Sequence, residues 1–248
     1  MARGNGLFGD EHPVKTSKQA ILSLIAILAA SSMHAQTFQN LDFESATLSP
    51  SPPGEIFNRV PVGFALPGWN AYLGSVKQTQ ILQNDYTLGA ASVDIFGPNY
   101  PAAGPTPGGL PGIIDGNYSV FLQAGFLQDG FTEEPASIAQ YGTVPPGSES
   151  LQFKAWVYPS AEFLVSFDGN NLSPVLLGNG PNYALYGVDI SSYDEQAGTL
   201  EFTAPFYSYL GLDDIVFSPN AVPEPSIVAL TTMGGLLFGA RRWFARRS

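Results

Sequence analysis

Ser150-Leu-Gln-Phe-Lys-Ala-Trp-Val-Tyr158 decides the fold class. Leu151, Phe153, Ala155 and Val157 alternate with Gln152, Lys154, Trp156 and Tyr158. That period of two puts one face of an extended strand against a core and the other toward water. Phe163, Val165 and Phe167 repeat the pattern, and Asp168-Gly-Asn-Asn171 then supplies turn chemistry. Outward from this pair the texture persists, with short β-branched and aromatic runs separated by Gly, Pro, Asn and Asp. Strands are expected over Thr37–Phe43, Ser92–Phe96, Tyr118–Gln123, Ser150–Tyr158, Phe163–Phe167, Tyr183–Ile190, Thr199–Ala204 and Leu210–Phe217. Phe96 to Gly112, with five prolines and five glycines, reads as a long surface loop. No window between the terminal segments has helical periodicity, so the expectation is an all-β, jelly-roll β-sandwich.

The two ends read differently. Residues 1–35 contain a secretory signal peptide: Lys15 and Lys18 form its basic region, Ala20 to Ala30 its apolar stretch, and Ala35 its cleavage point. Residues 1–13 are polar and acidic, which suggests that Val14 is the true start. At the other end, residues 222–248 have three parts. Val222-Pro-Glu-Pro-Ser226 is a rigid hinge in which the prolines block a helix before Ser226. Ile227 to Ala240 is uncharged, and as a helix it would span about 21 Å, or about 27 Å if continued to Phe244. Arg241-Arg-Trp-Phe-Ala-Arg-Arg-Ser248 closes the chain with arginines that would snorkel and stay cytoplasmic.

This tail resembles the PEP-CTERM sorting signal. Val222, Pro223, Glu224 and Pro225 match the family's motif, and Arg241, Arg242, Arg246 and Arg247 stand where its basic cluster does. The resemblance implies a bacterial protein held briefly in the inner membrane by one transmembrane helix. An exosortase-type protease would then cut it and pass it to the cell surface or the extracellular matrix.

One domain, residues 36–221, remains between the ends. It carries three basic side chains (Arg59, Lys77 and Lys154) against eighteen acidic ones, a net charge near −15. Nothing in it would neutralise phosphates, so nucleic acid is not a partner. Both histidines, His12 and His34, precede the domain, and the chain has no cysteine. Catalysis through Ser-His-Asp or Cys-His, zinc sites and disulfides are thereby excluded from the domain, which leaves only carboxylates for chemistry.

A second resemblance rests on Asn40-Leu-Asp-Phe-Glu44, Leu66-Pro-Gly-Trp-Asn70, Ile138-Ala-Gln140, Val144-Pro-Pro-Gly147 and Leu210-Gly-Leu-Asp-Asp-Ile-Val-Phe217. Their order is similar to galactose-binding-like jelly-roll domains, which include many carbohydrate-binding modules. In such domains the first and last strands are neighbours and a structural calcium often bridges them. Asp213 and Asp214, inside an apolar strand, would be costly as bare carboxylates. Either they join Asp42 or Glu44 around Ca2+, a hard cation suited to oxygen ligands, or they accept backbone N–H groups. Adjacent strand residues face opposite ways, so only one of the pair should reach such a site directly.

Trp69 and Tyr72, near a Pro-Gly turn, and Trp156, on the polar side of its strand, are candidates for stacking on a sugar. The alternative is that Trp69 plugs one end of the sandwich and Trp156 lies under a loop. The leading functional expectation is a non-catalytic structural or adhesive surface protein. A carbohydrate-binding module for an exopolysaccharide is the alternative, and a polysaccharide-acting enzyme with paired carboxylates comes third.

Overall fold

The computed structural model describes residues 36–48, 58–85, 87, 89–98, 100, 111–127, 129–158 and 162–223. The signal peptide, most of the 96–112 loop, Glu224, Pro225, the apolar tail segment and its arginines lie outside them. Sixteen strands are described. They are β1 (Arg59–Pro61), β2 (Asn70–Leu73), β3 (Val76–Gln78), β4 (Gln80–Gln83), β5 (Ser92–Phe96), β6 (Ser119–Gln123), β7 (Gly125–Phe126), β8 (Glu133–Glu134), β9 (Ala136–Thr143), β10 (Ser150–Tyr158), β11 (Leu164–Phe167), β12 (Asn170–Leu172), β13 (Val175–Asn179), β14 (Ala184–Asp189), β15 (Ala197–Ala204) and β16 (Tyr209–Ser218). One helical turn, α1 (Val62–Ala65), follows β1. Among the described residues no helix is long and apolar enough to cross a membrane.

Eight strands form one sheet in the order β1-β4-β5-β6-β16-β10-β14-β13, antiparallel except at β4–β5. Six form a second, β12-β11-β15-β9-β2-β3. The alternation in β10 works as its sequence dictates: Leu151, Phe153 and Ala155 are buried, while Gln152 and Lys154 are only half-buried. Phe153 meets Phe202 of β15 edge-on, 5.1 Å between ring centres, across the gap between the sheets. Val93, Val120, Leu122, Leu210 and Leu212 of the first sheet and Ala71, Ile138, Val165 and Leu200 of the second belong to the same core. Each such aliphatic or aromatic side chain contributes roughly 1.5–3 kcal/mol on burial. The described residues therefore form an all-β sandwich.

The Asp168-Gly turn joins β11 to β12 with φ of 48° and 78°, the two positive values a type I′ hairpin needs. The expected strand at 37–43 is absent. Thr37 makes a single bridge to Thr143, and Asn40 and Phe43 take left-handed φ of 51° and 56°, which breaks any extended run. The segment folds inward instead, burying Phe43 completely. Its Leu41 carbonyl accepts the Ile215 N–H of β16 at 2.9 Å, so first segment and last strand do meet.

β5 and β6 are buried on both faces. Their outer side is covered by a second apolar layer containing Phe96, Phe121, Ile114 and Trp156. A strand with one face on the core and one under this layer loses the polar alternation that marks a half-exposed sheet.

Candidate functional site

Of the residues singled out in the sequence, Glu44, Asp213 and Asp214 come together on the outer face of the eight-stranded sheet, around the turn from Asp115 to Ser119. Gly116 has φ of 58°, which favours glycine, and a Cβ on it would stand 2.2 Å from Glu44 Oε1 and displace that carboxylate from the turn. Glu44 Oε1 accepts the N–H groups of Asn117 (2.7 Å) and Tyr118 (3.0 Å), and its Oε2 accepts the Asn117 amide at 3.0 Å. From the other side Asp213 Oδ2 accepts the Ser119 hydroxyl (2.6 Å) and the Asp115 N–H (3.1 Å). Its Oδ1 accepts the Asp214 N–H at 2.7 Å. One turn is thus gripped by two carboxylates separated by most of the chain.

Asp213 is buried, and burial pushes its carboxyl up to about 7, against the lowering effect of those three hydrogen bonds. Asp115 and Asp214 both pair with Lys154 Nζ, the latter at 2.9 Å. Burial works against the Lys154 charge, but these two carboxylates outweigh it and hold the ammonium above its ordinary range. Lys154 draws Asp115 down in turn, and Nζ lies 5.2 Å from the centre of the Tyr183 ring.

The four proposed calcium ligands are placed as follows. Asp42 accepts the Glu44 N–H at 3.2 Å in a local turn. Glu44 holds the 115–119 turn by three hydrogen bonds and Asp213 by two. Asp214 departs from expectation: a β-bulge opposite Phe153, with Asp214 at φ of 49°, turns it to the same side as Asp213. Strand alternation would have separated them. Among the described residues no group of three Asp, Glu, His or Cys side chains is arranged to hold a metal ion.

The sugar-stacking candidates need correction. Trp69 is 4% exposed and packs between Phe43 and Phe202, its indole N–H donating to the Asn40 carbonyl at 3.0 Å. It is a core plug, because the left-handed 40–43 segment carries Phe43 under it. Trp156 does lie on the outer face, yet it is 6% exposed in the layer with Phe121 and Ile114. Its buried indole N–H has no hydrogen-bond partner among the described residues. Tyr72 is half-buried on β2, opposite Lys77 and Ser137. The aromatic pair that reaches solvent joins Tyr158, beside Trp156 in the sequence, to a residue that the sequence did not single out: Tyr158 ends β10 directly opposite Tyr209 of β16, rings parallel within 6° and 5.9 Å apart. Tyr158 also stacks on Trp156 at 6.2 Å. The period-two pattern placed Tyr158 on this face, but nothing local linked it to a residue fifty positions later.

These features define an all-β sandwich with a polar turn clamp and an aromatic pair on one outer face. No protein-family model matches the chain, and no curated protein sequence matches it. Among solved structures it is similar to the enzymatically active domain of tailspike protein 4 of bacteriophage CBA120. The identity is 12%, with 60% of this chain and 19% of that one covered, and the TM-score is 0.32. The chain thus spans about a fifth of the length of that protein, and at this level the likeness carries no argument about function.

Proposed function

We propose that this is an exported bacterial protein of the cell surface or extracellular matrix, acting as a non-catalytic structural or adhesive component. The observation that carries the reading is the order of the tail: Val222-Pro-Glu-Pro225, an uncharged stretch, then four arginines within seven residues. A signal peptide over residues 1–35 agrees with it, and so does an acidic domain with a net charge near −15, which favours solubility. In this reading the sandwich is a jelly roll, delivered by a transient inner-membrane helix and released by an exosortase-type protease. Ca2+ is a candidate structural ion at Glu44 and the Asp213–Asp214 bulge. Mass spectrometry of the cell-surface or secreted form tests the processing. The expected product begins near Gln36 and yields no peptide beyond about Ser226. A mature form that keeps Ser248 would overturn it.

The Tyr158–Tyr209 pair favours a second reading, a module that holds an exopolysaccharide. Parallel tyrosines offer ring faces for stacking, and Asp115, Asp214 and Lys154 supply acceptors and a donor for hydroxyl groups on the same outer face. A glycan array distinguishes the two readings: binding that is lost in Tyr158→Ala supports the module, and no binding leaves the structural role.

A further inference from the structure

We propose that a cleft at the corner of the sandwich binds a small organic monoanion with an apolar body. Between β3, at the edge of the six-stranded sheet, and β4, in the eight-stranded sheet, there is only one residue, Thr79. So short a connection forces the chain round a tight corner, and a cleft of about 440 Å³ opens beside it. That volume is within the range of roughly 300–1,000 Å³ usual for small-molecule sites. Its floor is apolar, with Leu73, Ile81 and Val93. Val76 and Phe126, 61% and 39% exposed, leave two large apolar side chains on the rim.

Charge selects the ligand. Of the three basic side chains in the domain, Lys154 is paired with Asp115 and Asp214, whereas Arg59 lines the cleft with no ion pair among the described residues. The carboxyl that feels Arg59 from behind the wall is Asp94, fully buried, with one oxygen accepting the Ser92 hydroxyl at 2.9 Å and Oδ1 without a partner among the described residues. Burial raises Asp94 well above its ordinary value; the Ser92 hydrogen bond opposes this, and Asp85 adds to it. Burial disfavours the charged form of Asp94, so this carboxyl does little to offset the Arg59 guanidinium. Ser92 lines the cleft itself, and Gln78 adds a carboxamide. A guanidinium over an apolar floor suits a carboxylate or sulfonate on a hydrocarbon or aromatic body. The acidic domain around it repels ligands that carry several charges.

The probes are 1-anilinonaphthalene-8-sulfonate and its uncharged relative N-phenyl-1-naphthylamine, each titrated by fluorescence against the full-length chain. The anionic probe should saturate at one site. Arg59→Gln, at an exposed position, should weaken the anionic probe about tenfold and leave the neutral one unchanged, as expected when one charge-assisted contact is lost. Ala91→Trp, which fills the cleft, should weaken both, with circular dichroism checking that the fold is kept. Unaltered binding of the anionic probe by Arg59→Gln overturns the proposal, whatever Ala91→Trp does. So does the absence of saturable binding.

Discussion

Asp213 makes stability depend on pH in an unusual direction. An unfolded chain ionises this carboxyl near 3.8, whereas in the fold burial raises it to about 7. Between those values the native state binds a proton that the unfolded state has lost, so stability is fully present below about pH 4 and falls as pH rises toward 7. A rise of about three pKa units corresponds to about 4 kcal/mol. For a domain of this size that is a melting decrease on the order of 10 °C between pH 4.5 and 7.5. Asp94, also buried and raised, adds in the same direction. Asp115 and Asp189, lowered by Lys154 and by Ser191 respectively, lose their contribution only as pH falls through their folded values, below this window. The assay is thermal unfolding by circular dichroism at pH 4.5, 6 and 7.5, at constant ionic strength with EDTA, on wild type and Asp213→Asn. Self-repulsion of the acidic domain affects both proteins alike. The substitution loses about 1 kcal/mol of hydrogen bonding at every pH, so the slope is the readout. Wild type should lose stability with rising pH more steeply than the variant. Equal slopes would refute the assignment of a buried, proton-holding Asp213.

Three further outcomes follow from contacts already described. Trp69→Ala should cost about 3–5 kcal/mol in chemical denaturation, since it empties the space between Phe43 and Phe202; a loss below about 1 kcal/mol would contradict the plug. Gly169→Ala should cost about 1 kcal/mol, because φ of 78° in the I′ turn strains any side chain, and unchanged denaturation would show that the turn can relax. Calcium at a hundredfold excess over its Kd would add about 2.7 kcal/mol if it binds only the folded state. A melting shift with calcium but not magnesium, lost in Glu44→Gln or Asp214→Asn, would establish the ion; equal shifts with both metals would leave these carboxylates as hydrogen-bond acceptors alone.

Where side-chain alternation or apolar runs faced a single core, the sequence was legible. β5 and β10 span the expected residues, β16 is one longer at each end, and the Asp168-Gly turn falls in place. β9 was not recognised as a strand, although it lies at the heart of the six-stranded sheet. Its inward positions include Gln140, which hydrogen-bonds the backbone of Gln39, and Gly142, packed under the Phe38 ring. Neither residue type announces a core. Their partners lie about a hundred residues away, so the burial is a tertiary fact. For the same reason the sequence left Trp156 open between a stacking face and burial under a loop, the latter being what Ile114 provides, and gave no sign of the union of Tyr158 with Tyr209. The bulge that turns Asp214 toward Asp213 has no local signature beyond a left-handed aspartate.

The order of strands carries a further consequence for how the molecule is made. β16 lies between β6 and β10, and it alone joins β1-β4-β5-β6 to β10-β14-β13. Until Tyr209–Ser218 has left the ribosome, the wider sheet exists only as two halves, each with an unpaired central edge. Such edges invite pairing with other chains, and closing them requires contacts between residues far apart in sequence, which is slow. The chain therefore assembles late and all together, and a nascent product ending before Tyr209 is a sticky pair of half-sheets rather than a smaller stable domain.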